Sequence, residues 1–167
     1  RNPRDFVREE VVPVYPDTLV WLKDFDYSKN DQMFNDYFWH ERYDDHPVVG
    51  VNWEQSRAFC DFKTYAINEG YRKLGKPVVP AYRLPTEAEW EIAARNGDPD
   101  VIFPWEGEKM IQKNGRYRAN FKPDGGYDAD GEVYTAKVKD PRFFHPSKSK
   151  LHHISGNVAE WTASTYN

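Results

Sequence analysis

Six Trp, eleven Tyr and ten Phe put an aromatic ring on 16% of a 167-residue chain whose mean hydropathy is only -0.90. That hydropathy, with 30% of residues charged, leans toward a chain that cannot bury enough apolar surface to order itself. The rings decide otherwise, because each one that is buried removes roughly 150 to 250 Å² from water. The chain is expected to fold as one domain or most of one, since this length can bury a sizeable core.

Several classes of function drop out early. A formal net charge of -4 and a pI near 5.8 offer no basic footprint, so nucleic acid is not an expected partner. Charge or Pro interrupts every apolar stretch well short of the roughly 20 residues that a membrane-spanning helix needs, and the segment is expected to be soluble. One cysteine, Cys60, excludes a disulfide within the chain and any all-thiolate metal cage, and leaves the redox compartment open. The start at Arg1-Asn2-Pro3, without Met or a signal peptide, is expected of a processed or partial piece of something longer.

Two helices are signalled by their caps. Asn52, with Gln55 three residues on, predicts a helix over about 52–69 that Gly70 stops and that buries Ala58, Phe59, Phe62 and Ala66. Thr86 and Glu89 form a second capping box, with Glu87 and Glu89 at the positive end of the dipole, Trp90, Ala93 and Ala94 on the packed side, and Gly97 closing the helix. Upstream, Val11–Tyr15 and Thr18–Leu22 are expected to be short strands separated by Pro16-Asp17. The acidic, aromatic stretch from Asp24 to Asp45 is expected to be a long ordered loop held by its rings. Its part from Asp24 to Tyr43 is expected either to dock a partner or to pack on its own domain. Pro47–Val51 is a short buried strand or an extended lead-in to the helix, and Lys148-Ser149-Lys150 is a solvated basic patch.

Catalytic motifs are scarce. The histidines at 40, 46, 145, 152 and 153 lack His-Glu-x-x-His spacing. Cap and dipole roles account for Glu87 and Glu89, so they do not argue for acid–base work. Asp128-Ala129-Asp130-Gly131 suggests an EF-hand, but its last ligand would fall on Lys137, and that reading fails. No Gly-rich phosphate loop is present.

Three clusters point to a family when taken together. They are His46-Pro47-Val48-Val49-Gly50-Val51-Asn52-Trp53-Glu54 followed by Ala58-Phe59-Cys60; Tyr82-Arg83-Leu84-Pro85-Thr86-Glu87-Ala88-Glu89-Trp90-Glu91 followed by Phe103-Pro104-Trp105; and Ser155-Gly156-Asn157-Val158-Ala159-Glu160-Trp161-Thr162. In this order they resemble the formylglycine-generating enzyme, or sulfatase-modifying factor, family over about Asp17 to Tyr166. The resemblance implies a loop-rich α+β fold with little regular secondary structure, distantly related to C-type lectin domains. It also implies that 1–167 is most of a single such domain, with its C-terminal part missing. A narrower likeness runs through Asp17-Thr18-Leu19-Val20-Trp21, Asp24-Phe25-Asp26-Tyr27-Ser28 and Tyr37-Phe38-Trp39-His40 to the Bacteroidota gliding-motility and type IX secretion lipoproteins GldK/PorK or GldJ.

Those resemblances carry functional expectations. Formylglycine formation in the family uses two thiols that hold Cu(I), a soft-ligand site, located toward the C-terminal end of the fold. Here the one thiol, Cys60, is read as a packing residue on the first helix, so no copper and no catalysis are expected. A lectin-like binding module is a further option. The family also implies structural calcium. One site would take the Asn120 side chain, the Phe121 carbonyl, the Asp130 carboxylate and the Glu132 carbonyl, with a bland acidic turn as the alternative. A second would take the Glu160 carboxylate and the Gly156 and Val158 carbonyls. It has His153 where the family's further ligand lies and Ala159 where the family has Trp. Without metal, Glu160 would be a buried acid locking the loop, with Trp161 in the core. The GldK/PorK likeness implies a structural secretion and motility subunit. It would assemble as a homo- or hetero-oligomer on the periplasmic side of the outer membrane, through a lipid anchor outside this segment.

Overall fold

A computed structural model describes residues 11–24, 32–105, 107–115, 117–121 and 147–165. Its helices are α1 (Val20–Asp24), α2 (Gln32–Asp36), a 3-10 turn (Glu41–Tyr43), α3 (Trp53–Lys73) and α4 (Glu87–Ala94). Among the described residues β pairing is confined to two isolated bridges, Ile111 with Tyr117 and Asn120 with Gly156. No described helix is long and apolar enough to cross a membrane. The chain packs as two compact units, one of Arg1–Pro16 and Val51–Leu84, the other of Asp17–Gly50 and Pro85–Asn167.

The first unit is organised by α3. Asn52 and Gln55 form the expected capping box, each side chain accepting from the other's backbone N–H at 2.8 Å. The helix does not stop at Gly70; it runs on to Lys73. There the Gly75 N–H donates to Arg72 and the Lys76 N–H to Tyr71, a Schellman closure with Gly75 at φ +64°. Gly75 ends the helix because the left-handed residue is needed one position past the cap, and Gly70 merely costs some helix propensity.

The covered face of α3 is also not the expected one. Residues 76–84 return along the helix, and Pro77 and Pro80 leave this extended segment with few donors of its own. Asn68 is buried and clamps it, accepting from the Val79 N–H at 2.8 Å and donating to the Val79 carbonyl at 3.1 Å. One turn back, Thr64 Oγ1 accepts from the Tyr82 N–H at 2.8 Å, and Lys63 lies over the Tyr82 ring at 4.9 Å. Phe59 and Phe62, expected inside, are 60% and 64% exposed. The helix carries apolar residues on two sides, and the returning strand of chain selects the one whose polar groups can satisfy its backbone.

The expected strands are absent. Val11–Tyr15 is irregular, and its Pro13 and Tyr15 carbonyls accept from Gln55 Nε2 at 2.7 and 2.9 Å, so a side-chain amide replaces a ladder. In the second unit the Asp17 carboxylate accepts from the Leu19 N–H at 3.0 Å, a local turn that launches α1 where a strand was expected. The Lys23 ammonium and that N–H hold the Asp17 carboxyl below its ordinary range.

The aromatic loop supplies the second unit's core. Trp21, Met33, Phe34 and Tyr37 are buried together, with Val20, Leu22, Phe38, Tyr43, Val49 and Val158 packed against them. Trp21 meets Phe34 and Tyr37 edge-on at 5.9 and 5.4 Å, the favoured geometry for ring pairs. A short helix, α2, lies inside the expected loop, and Phe34 and Tyr37 from this stretch pack inward on their own unit. Trp39, at 65% exposed, points the other way. Residues 25–31 of that loop lie outside the described residues.

Candidate functional site

Two of the three sequence clusters meet in the second unit. The α4 capping box forms as expected, with Thr86 Oγ1 accepting from the Glu89 N–H at 3.2 Å and the Glu89 carboxylate from the Thr86 N–H at 2.8 Å. The chain after Glu160 lies along this helix start: the Ala163 N–H donates to the Pro85 carbonyl at 2.7 Å, and the Glu87 N–H donates to Ser164 Oγ at 3.0 Å. The Trp90 indole N–H donates to Glu160 Oε2 at 2.7 Å. The hydrogen-bonding role expected of Glu160 is therefore present, but its residue is exposed, and Trp161, expected in the core, is 49% exposed. The inward partner from this segment is Val158, packed on the Trp21 cluster.

A second contact fixes the same segment. Asn120 pairs with Gly156: the Asn157 N–H donates to the Asn120 carbonyl at 2.7 Å, and Asn120 Nδ2 donates to Asn157 Oδ1 at 3.1 Å. Gly156 has φ +77°, and a Cβ there would come well inside van der Waals contact with the Asn120 carbonyl oxygen and 3.0 Å from its carbon. Only glycine fits that approach. Asn120 and Gly156, assigned by sequence to separate calcium sites, are thus neighbours in one clasp.

The first cluster reaches the same core from another side. Tyr37 donates its hydroxyl to the Pro47 carbonyl at 2.6 Å, and Val49, like Val158, packs against the buried cluster. Burial, with Tyr43 nearby, pushes the Tyr37 hydroxyl well above the ordinary tyrosine range, so it stays a neutral donor. Gly50, at φ +71°, leaves no room for a Cβ against Asp17, and the Asp17 N–H donates to the Gly50 carbonyl at 2.7 Å.

As a metal centre the described part is incomplete. Asp130 and Glu132 lie outside the described residues. Asn120, Phe121, Gly156, Val158 and Glu160 bring one carboxylate between them, and Glu160 Oε2 already accepts from Trp90. Among the described residues no group of three or more His, Cys, Asp or Glu is placed to hold a metal ion. Calcium takes six to eight oxygens, so the described residues alone do not fill its shell. Cys60 lies within α3 and is partly buried. It is the chain's one thiol, and a two-thiol copper pair cannot be built from these residues. The contacts at this site are mechanical: they tie the motif segments to one another through hydrogen bonds and a glycine approach.

Comparison with known proteins agrees with the motifs. Residues 9–167 match the sulfatase-modifying factor enzyme 1-like domain. The chain is 38% identical over 122 residues to the formylglycine-generating enzyme of Thermomonospora curvata, covering 71% of this chain and 33% of that protein. The likeness to the mouse formylglycine-generating enzyme is 38% over 122 residues, covering 71% of this chain and 27% of that protein. It is also 35% identical over 121 residues to the bovine inactive C-alpha-formylglycine-generating enzyme 2, covering 72% and 33%. The chain spans about a third of the length of these relatives. With the three clusters, the loop-rich architecture and a match over nearly its whole length, the chain belongs to the formylglycine-generating enzyme, or sulfatase-modifying factor, family.

Proposed function

We propose that this chain is a non-catalytic structural component of the Bacteroidota type IX secretion and gliding-motility apparatus. It assembles with partner subunits on the periplasmic side of the outer membrane, which it reaches through a lipid anchor outside this segment. The observation that carries the non-catalytic part is the single thiol: Cys60 sits mid-helix on α3, and the motif clusters that remain are spent on holding the fold together. The kinship with relatives named inactive supports the same reading. The secretion assignment is supported by the N-terminal likeness to GldK/PorK and GldJ. Structural calcium is part of the proposal, at one site of Asn120, Phe121, Asp130 and Glu132 and at a second of Gly156, Val158 and Glu160. So is the reading of 1–167 as most of one family domain. Deleting the gene in a gliding Bacteroidota host tests it: loss of secretion and spreading is expected, and unimpaired secretion would overturn the assignment.

A copper- and oxygen-dependent oxidoreductase of the formylglycine-generating type is the second reading. It is favoured by the 38% identity to relatives carrying that name.

A further inference from the structure

The side of α3 that the returning chain leaves uncovered carries a pattern of its own. Phe59, Phe62, Ala66 and Gly70 follow one another at intervals of three and four, so they form one stripe along the helix. Phe59 and Phe62 are 60% and 64% exposed, and Tyr65 on the flank of the stripe is 65% exposed. At roughly 150 to 250 Å² per ring, the three leave roughly 300 to 450 Å² of aromatic surface in water, the size of the largest patch on an ordinary monomer.

Gly70 is the unexplained member of the stripe. It lies inside the helix, where glycine weakens the structure relative to alanine, and a Cβ on it would meet nothing within 4 Å. No described contact within the chain therefore requires a glycine there. With Ala66 one turn earlier, it leaves a groove in the C-terminal half of a stripe whose N-terminal half is ridged with rings. The two ends also differ in charge: Glu54 stands in the first turn, Arg72 and Lys73 in the last.

We infer that this face pairs with the same face of a second copy, as two antiparallel α3 helices related by a two-fold axis at the level of residue 64. Reversal lays Phe62 of each copy over Ala66 of the other and Phe59 over Gly70, rings into groove. It also brings Glu54 to the basic last turn of the opposite helix, with the two dipoles opposed. A parallel pair would stack ring on ring and set like charges side by side. A ridge and a groove on one stripe are what a self-complementary two-fold contact requires. The aromatic patch is about half of the roughly 800 Å² that each partner gives to a standard interface. The groove and the charged ends must supply the remainder, and the dimer is expected to depend on concentration.

The surface rests on α3 alone and not on the secretion assignment, which gene deletion tests separately. Sedimentation velocity of the purified full-length protein over a concentration series tests it, with a Gly70→Gln variant and a urea melt of both proteins. The wild type is expected to pass from monomer to dimer as concentration rises. Gly70→Gln fills the groove and is expected to raise the dissociation constant roughly tenfold or more. Its urea midpoint should be equal or higher, because the added side chain meets open space and favours the helix. A wild type that stays monomeric throughout would overturn the inference, as would a dimer that Gly70→Gln leaves intact. A lowered urea midpoint in a monomeric variant would also overturn it, since the face would then be covered by the protein's own chain.

Discussion

Gly156 and Gly97 share φ +77° and differ in what surrounds them. A Cβ on Gly97 meets nothing within 4 Å, whereas one on Gly156 collides with the Asn120 carbonyl. Gly97→Ala therefore pays the left-handed backbone cost alone, about 1 to 2 kcal/mol. Gly156→Ala pays that cost and must also push Asn120 away. This breaks the 2.7 Å bond from the Asn157 N–H, a further loss of about 1 to 3 kcal/mol because its partners are left unsatisfied. Urea unfolding of both variants, with m-values compared to confirm two-state behaviour, isolates the second contribution as a difference. A gap of about 1 kcal/mol or more is expected. Equal losses for the two variants would mean that the Asn120–Gly156 clasp does not hold the segment in solution.

Other expectations rest on single contacts. Tyr37→Phe leaves the Pro47 carbonyl without its donor and should cost about 1 to 3 kcal/mol. Because the folded state holds the Tyr37 proton more tightly than the unfolded chain, wild-type stability should fall as pH rises above the ordinary tyrosine value of 10.0. In a pH series of urea melts, a Tyr37→Phe slope as steep as that of wild type would refute the assignment. Asn68→Leu removes both bonds to Val79 and should cost about 2 to 4 kcal/mol by urea melt, whereas a loss as small as that of an ordinary surface substitution would place the return segment elsewhere. Chelating calcium should lower the melting temperature of the full-length protein. An unchanged melt with and without chelator would count against an ion at Asn120 and Asp130.

What was legible in the sequence was local. Both capping boxes, Asn52 with Gln55 and Thr86 with Glu89, formed as expected because a cap is decided within four residues. The inward side of α4 followed, with Trp90, Ala93 and Ala94 half-buried and Ile92 turned out. The end of α3 was missed because Gly70 and Gly75 compete as stops, and only the register of the last turn separates them. Its covered side was missed because Phe59 and Phe62 outshine Thr64 and Asn68 on any hydrophobic scale. The returning chain needed hydrogen-bonding groups more than rings. The same bias made strands of Val11–Tyr15 and Thr18–Leu22, where β-branched residues have no partner strand among the described residues and Asp17 could start a turn.

At the candidate site, the family resemblance singled out Asn120, Gly156 and Glu160 for a role other than the one their hydrogen bonds show. They stood out as calcium donors implied by family; in the fold Asn120 bonds to Asn157, Gly156 lies against the Asn120 backbone and Glu160 accepts from Trp90. No sequence signal pairs Asn120 with Gly156 across 36 positions; a glycine that must be glycine was the one available hint. Trp161 misled because an aromatic in a motif reads as core, while the inward position belongs to Val158.

The proposed non-catalytic role has a direct chemical test. Purified full-length protein, loaded with Cu(I) and given oxygen and a cysteine-containing sulfatase peptide, tests it most directly by mass spectrometry of the peptide. The account predicts that the cysteine is recovered unchanged; catalytic conversion to formylglycine, abolished by copper chelation, would contradict it.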